Sequence, residues 1–272
     1  ILNKNCSFLI VFFYIHQKLK IYSELVELNN KYKQMKNAII IGASSGIGKD
    51  LALILVENNY QVAITGRRLN DLEKIKSTNP QKFIVRQHDI ANQEQTVTIF
   101  KELIQEMGTI DLVIHSSGIG EPNYQLDFNI DLPTINTNIL GGTLIYGLAY
   151  NLFKKQGFGH LVGITSVASI RGNRHVPAYF ASKSYQASYL ESLWFKAQKS
   201  NLPIYITDIQ PGFVDTPMAL GKTFWMATSQ KAAQQIYKVI LNKKKKAYIT
   251  KRWALVAFVM KLVPSKLYAK LF

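Results

Sequence analysis

The chain has a single cysteine, Cys6, in 272 residues. No disulfide can form within it, and a reducing, cytoplasmic setting is the expectation. Long apolar runs are missing too. Phe8–Ile15 and Trp253–Met260 are both short of a bilayer's thickness, and no small-residue cleavage site clearly follows the first. No Cys/His cluster has zinc-ligand spacing; His16, His88, His115, His160 and His175 are scattered, and no metal is expected. The chain has no internal repeat and no linker rich in Gly, Pro or Ser, which argues for one domain.

Acidic residues are scarce: 17 Asp/Glu stand against 33 Lys/Arg, a net charge of +16. The excess sits at the ends. Residues 243–272 hold nine Lys/Arg and no acid, residues 1–34 hold five Lys and two Glu, and the long stretch between carries only +4. That body, without an aromatic stacking motif, speaks against a nucleic-acid partner. A basic end fits an anionic surface such as lipid; a solvated tail is the plain alternative. Residues 1–34, ahead of Met35, read as an extension upstream of the true start or a segment of unknown processing.

Apolar residues make up 47% and charged residues 18%, enough for a sizeable core. From Lys36 onward short apolar runs alternate with longer amphipathic ones. Strands are expected over 37–41, 61–65, 82–86, 111–115, 160–165, 203–209 and 247–250. Helices are expected over 47–58, 69–77, 92–107, 131–154, 178–200, 229–242 and most of 253–272. This alternation predicts a doubly wound parallel α/β sheet of the Rossmann type, with helices on both faces. Runs such as Ala38-Ile39-Ile40-Ile41 suit strands covered on both sides.

Gly42-Ala43-Ser44-Ser45-Gly46-Ile47-Gly48 lies between the first strand and the first helix. A dinucleotide pyrophosphate docks at such a place, on a tight turn and the open N–H groups of a helix start. Farther on, Tyr179-Phe180-Ala181-Ser182-Lys183 puts a phenol and an ammonium on one helix face. The ammonium would pull the phenol's pKa down from about 10 toward working pH, so that it could exchange a proton with a carbonyl oxygen.

The spacing Gly42-x-x-x-Gly46-x-Gly48 together with Tyr179-x-x-x-Lys183 resembles the short-chain dehydrogenase/reductase family, over roughly residues 35–248. The family's usual Thr before the first glycine is Ile41 here. The resemblance implies an NAD(P)-dependent oxidoreductase acting on CH–OH or C=O groups. It assigns Gly42, Ser44, Ser45, Gly46, Ile47 and Gly48 to the phosphates. At the end of the second strand Gly66 stands where NAD-preferring relatives carry Asp, and Arg67 follows. NADP(H) is therefore expected rather than NAD(H), with Arg67 as the main clamp on the 2′-phosphate and Arg68 in support. Asp89 and Ile90 match the adenine pocket. His115-Ser116-Ser117-Gly118 keeps only the glycine of the family's Asn-Asn-Ala-Gly, so Gly118 is the cofactor contact carried over, and His115 reads as a core histidine bonded to backbone.

By the same resemblance Ser166 would hold the substrate oxygen beside Tyr179, and Lys183 would tune the phenol. Asn138 would support a water relaying protons to the lysine. Pro211, Gly212, Val214 and Thr216 would form the nicotinamide loop. Residues 218–228, with Phe224, Trp225 and Met226, match the substrate lid, with Gly221 as its hinge and Gly172, His175 and Tyr185 on the pocket border. An apolar carbonyl or alcohol is the expected substrate, and a dimer or tetramer the expected assembly. A catalytically silent nucleotide sensor, or a membrane-surface binding protein on the same fold, is the alternative. Residues 35–250 would be the catalytic domain. Residues 251–272 would be a basic, apolar extension, broken at Pro264, that either lies on anionic lipid or covers the pocket or a dimer interface.

Overall fold

The computed structural model describes residues 15–20, 35–217 and 225–271. The chain divides into two units, residues 1–35 and 36–272; in the first, residues 15–20 are helical.

The second unit begins with strand β1 (Lys36–Ile41), helix α1 (Gly46–Glu57), β2 (Tyr60–Gly66), α2 (Leu69–Lys76), β3 (Phe83–Gln87), α3 (Gln93–Met107) and β4 (Leu112–His115). It continues with α4 (Phe128–Thr134), α5 (Gly142–Gln156), β5 (Gly159–Ile164), α6 (Pro177–Gln198) and β6 (Ile204–Pro211). It closes with the two-residue strands β7 (Val214–Asp215) and β8 (Ala227–Thr228), then α7 (Ser229–Leu241), β9 (Lys246–Ile249), α8 (Arg252–Leu262) and α9 (Ser265–Leu271).

Seven strands form one parallel sheet in the order β3-β2-β1-β4-β5-β6-β9. The expected doubly wound fold is what the chain adopts. Pleating sends alternate residues of β1 to opposite sides. Ala38 and Ile40 join the core under α1 and α7, whereas Ile39 and Ile41 join the core formed with α3, α5 and α6. The order in which strands join the sheet reverses between β1 and β4, and this switch point opens a crevice at the carboxyl ends of the strands.

Three local features differ from the sequence reading. The single helix expected over 131–154 is α4, then a wider π-type turn over Ile135–Gly141, then α5. Pro133 lies inside α4 and offers no N–H to a regular ladder. The π-type turn buries Thr137, Asn138 and Gly141. Secondly, β7 and β8 form a small parallel ladder of their own, pairing Val214 with Ala227 and Asp215 with Thr228. Thirdly, Ser166 starts a one-turn 3₁₀ helix over Val167–Ser169. Pro264 separates α8 from α9 as expected.

Candidate active site

Backbone comes close to backbone in the turn after β1. The amides of Gly42 and Ala43 both donate to the Thr65 carbonyl at 2.9 Å, which folds the chain sharply. Gly42 has φ +90° and Gly46 φ +57°, the left-handed region that favours glycine. A Cβ on Gly42 would stand 2.5 Å from Ser117 Oγ, and one on Gly48 2.2 Å from the Gly42 carbonyl oxygen. Ser44 lies against Gly66 at the end of β2, and Ile47 packs on the core beneath the turn. Ser45 is the N-cap of α1, yet its side chain caps no helix N–H, and the first turn carries no acidic residue. This N-terminus therefore keeps donors and a positive dipole end for an anion, so the turn fits a pyrophosphate.

The two arginines after β2 take different places. Arg68, not Arg67, lies on the turn: its Nη2 donates to Ser45 Oγ at 2.7 Å and its Nε to Asp71 Oδ2 at 2.7 Å. Arg67 projects from the same strand end with an exposed side chain, and its carbonyl accepts from Gln87 Nε2 at 3.0 Å. Asp89 closes a local turn, its Oδ1 accepting from Ala91 N at 3.1 Å, while Asn92 is the cap of α3. Ile90 is buried, with its carbonyl 2.6 Å from where a Cβ on Gly141 would sit.

The helix face bearing Tyr179 and Lys183 also carries Ser182 and Gln186, at the i, i+3, i+4, i+7 spacing. Lys183 is buried and donates to the Ile164 carbonyl at 3.1 Å and to Gln186 Oε1 at 3.0 Å. Gln186 Nε2 in turn donates to the Asn138 carbonyl at 2.8 Å. The Asn138 side chain bridges two elements. Its Nδ2 donates to the Ile119 carbonyl at 2.7 Å and to Ser182 Oγ at 2.9 Å, and its Oδ1 accepts from Ile119 N at 2.9 Å. Gln186 thus bridges the Lys183 ammonium and the Asn138 backbone carbonyl. Neither Gln186 nor Ser182 was singled out from the sequence, although their spacing from Tyr179 was a usable signal.

Ser166 Oγ accepts from Ala168 N at 3.1 Å, and its hydroxyl lies near enough to the Tyr179 phenol to favour the ionised form. Burial pushes the Tyr179 phenol above its ordinary pKa of 10.0, and the neighbouring Ser166 hydroxyl pulls it back in part. The expected lowering by Lys183 is not the state of this structure. The ammonium stands 5.8 Å from the Tyr179 ring centroid, held by the two oxygens just named. Burial instead lowers Lys183 to about 8, opposed by the carboxylate of Asp208. Asp208 itself is buried, accepting from Thr165 Oγ1 at 2.5 Å and Gln210 Nε2 at 2.7 Å.

Glycines let the loop after β4 pack directly against this cluster. A Cβ on Gly118 would come 3.1 Å from Lys183 Nζ, and one on Gly120 would come 2.5 Å from Tyr179 Cδ2. His115 is a core histidine, but its Nδ1 partner is the Tyr146 hydroxyl at 3.0 Å rather than backbone. Burial drives its pKa down to about 3, so it is neutral at pH 7.

The segment after β6 joins both parts of the site. Thr216 reaches the glycine turn, its Cγ2 2.9 Å from where a Cβ on Gly46 would sit, and Val214 is buried in β7. Gly212, expected at the nicotinamide, is the seat of Trp253: a Cβ there would come 2.1 Å from the indole. Pro211, also expected at the nicotinamide, is buried at the end of β6. Of the expected lid, residues 218–224 lie outside the described residues. Tyr185 faces away from the crevice toward Thr143, with 3.0 Å between the hydroxyls. Six residues after Tyr179, it falls on another side of α6 and does not border the pocket.

A family model described as short chain dehydrogenase matches residues 36–227. An uncharacterized oxidoreductase of Mycobacterium tuberculosis is 32% identical over 188 residues, spanning 66% of this chain and 74% of that one. Among solved structures, ElxO with NADP bound has a TM-score of 0.71 at 22% identity, covering 79% of this chain and 97% of its own. The 3-ketoacyl-(acyl-carrier-protein) reductase from Brucella melitensis, complexed with NADH, has a TM-score of 0.73 at 17% identity, covering 79% and 96%. At those identities the two structures speak for the fold alone.

Proposed function

The chain belongs to the short-chain dehydrogenase/reductase family, and on that premise we propose that it moves hydride between NADP(H) and the carbonyl or secondary-alcohol carbon of a small apolar substrate. The observation that carries this reading is the cluster of Tyr179, the neighbouring Ser166 and buried Lys183 at the carboxyl end of β5, in the same crevice as the glycine turn.

Bound NADPH would supply the hydride. The glycine turn and the start of α1 bind the pyrophosphate, and Asp89 and Ile90 border the adenine. Val214 and Thr216 hold the carboxamide, with Pro211 and Gly212 shaping the loop. One solved neighbour carries NADP and another NADH in their names, so the choice of nucleotide rests on this chain's own residues. Gly66 offers no carboxylate to repel a 2′-phosphate, and the exposed Arg67 can pair with one while Arg68 braces the turn.

In reduction, Ser166 donates a hydrogen bond to the carbonyl oxygen and Tyr179 gives it a proton. A phenol with a raised pKa is fully protonated at neutral pH, which suits a proton donor. Lys183, fixed by Ile164 and Gln186, stabilises the phenolate that remains. Asn138 acts one step back, fastening the loop after β4 to α6 through Ile119 and Ser182 and holding Gln186 by its carbonyl. In this reading residues 35–250 are the catalytic domain, the protein is cytoplasmic, and it assembles as a homo-oligomer.

A panel of ketones and secondary alcohols followed by NADPH absorbance tests the proposal. Turnover of at least one apolar ketone with NADPH in preference to NADH is expected. Tight nucleotide binding without turnover of any compound would favour the sensor reading instead.

A further inference from the structure

Helix α8 has two apolar sides, and the body of the protein uses one. Trp253 and Ala257 are buried, the indole lying on Gly212 and meeting Phe213 edge-on at 5.3 Å between centroids. Turned the other way, at the i, i+3, i+4, i+7 spacing, are Leu255, Phe258, Val259 and Leu262, exposed by 63%, 59%, 48% and 66%. At about 100° per residue they form one stripe, with Arg252 and Lys261 on its flanks. Helix α9 adds the half-exposed Leu267, between exposed Lys266 and Lys270.

We propose that this face docks on an anionic lipid surface, with both helices lying in the plane of the interface. Charge decides the occupant. Residues 251–272, which hold both helices, carry five Lys/Arg (Lys251, Arg252, Lys261, Lys266 and Lys270) and no Asp/Glu. Two copies meeting symmetrically on the stripe would bring like charges together with no acid in the segment to pair them. Lipid phosphates pair those cations while the acyl boundary takes the leucines and phenylalanine. The helices cannot span: among the described residues no helix is long and apolar enough to cross a membrane.

The docking face is tied to the rim of the candidate site at three points. Arg171, five residues after Ser166, donates Nη1 to the carbonyls of Met260 (3.1 Å) and Val263 and Nη2 to Ser265 Oγ (2.9 Å). Its guanidinium also lies over the Tyr268 ring at 4.6 Å. Trp253 rests on the 211–213 turn, and Arg252 Nη2 donates to the Trp225 carbonyl at 2.9 Å. A docked protein thus keeps its crevice beside the bilayer, where apolar carbonyl compounds partition. The docking itself does not depend on the catalytic reading.

The test uses the full chain in flotation with vesicles of phosphatidylcholine alone, or of equal parts phosphatidylcholine and phosphatidylglycerol. Binding to the mixed vesicles, weakened by salt and about tenfold weaker on phosphatidylcholine alone, is expected. The triple variant Leu255→Ser, Phe258→Ser, Leu262→Ser should lose about tenfold or more of that binding with an unchanged Tm. Wild type that fails to float with anionic vesicles, or a variant that floats equally well, overturns the proposal. So does a wild-type dimer that the triple substitution turns into monomer, since a second copy would then cover the stripe. NADPH-dependent ketone turnover, measured without lipid, should match in wild type and variant. Turnover missing from both would count against the catalytic reading and leave the lipid result standing.

Discussion

Around the turn after β1, room is made by leaving side chains out: Gly42, Gly46 and Gly48 all stand where a Cβ would run into a neighbour. Around Lys183 room is filled instead, by buried polar groups that satisfy one another across four segments, from Ile119 through Asn138 and Ile164 to Gln186. The two halves respond to different kinds of damage. The nucleotide half tolerates changes of chemistry better than added volume. The catalytic half tolerates lost volume better than lost hydrogen bonds, because a buried donor or acceptor without a partner costs about 1–3 kcal/mol.

The largest expected effect of adding volume is Gly48→Ala. Its Cβ must displace the Gly42 carbonyl oxygen, 2.2 Å away, so the turn has to open. NADPH affinity, read by fluorescence titration, should fall by roughly a hundredfold or more.

Next comes a pair at Gln186. Gln186→Met keeps the volume and removes both hydrogen bonds, leaving the Lys183 ammonium and the Asn138 carbonyl each short of a partner. kcat should drop by roughly ten- to a hundredfold with the KM for NADPH little changed. Gln186→Ala leaves a gap that water can enter to bridge the same two atoms, and should retain more activity than Gln186→Met. The reverse order would mean that Gln186 acts by packing alone.

In the nucleotide half, Arg67→Ala should raise the KM for NADPH about tenfold while leaving that for NADH nearly unchanged. Equal effects on both would remove the phosphate assignment.

The smallest effect compares buried histidines of the two halves. His88, behind the end of β2, is lowered to about 4 and His115, behind Lys183, to about 3, both by burial. Between those values and the ordinary 6.5, the unfolded chain binds protons that the folded chain does not. Stability should therefore fall as pH drops below about 6.5. His88→Gln and His115→Asn should each flatten the decline of Tm between pH 6.5 and 4, and leave its slope above pH 7 alone.

The same contrast explains what the sequence could tell. Strand–helix alternation and glycines at 42, 46 and 48 are local signals, so the sheet and the turn are legible from the residues alone. Tyr179, Lys183 and Ser166 were legible by resemblance, and the structure brings them together. Gln186 was not, because its importance depends on the π-type turn that aims the Asn138 carbonyl at it, and one residue of helix pitch decides that. Arg67 and Arg68 are ordered by strand position, which says nothing of the hydrogen bonds from Arg68 to Ser45, 23 residues earlier, and to Asp71. Trp253, the partner that needs Gly212 small, lies 41 residues away in sequence, so that contact could not be read locally.

The most direct test of the central claim is Tyr179→Phe, assayed for ketone reduction by NADPH absorbance and for NADPH binding by fluorescence in the same preparation. The account predicts turnover down by roughly a thousandfold or more with nucleotide affinity within a few-fold of wild type. Turnover close to wild type would show that the proton reaches the substrate oxygen from some other group, and the role given to residue 179 would be wrong.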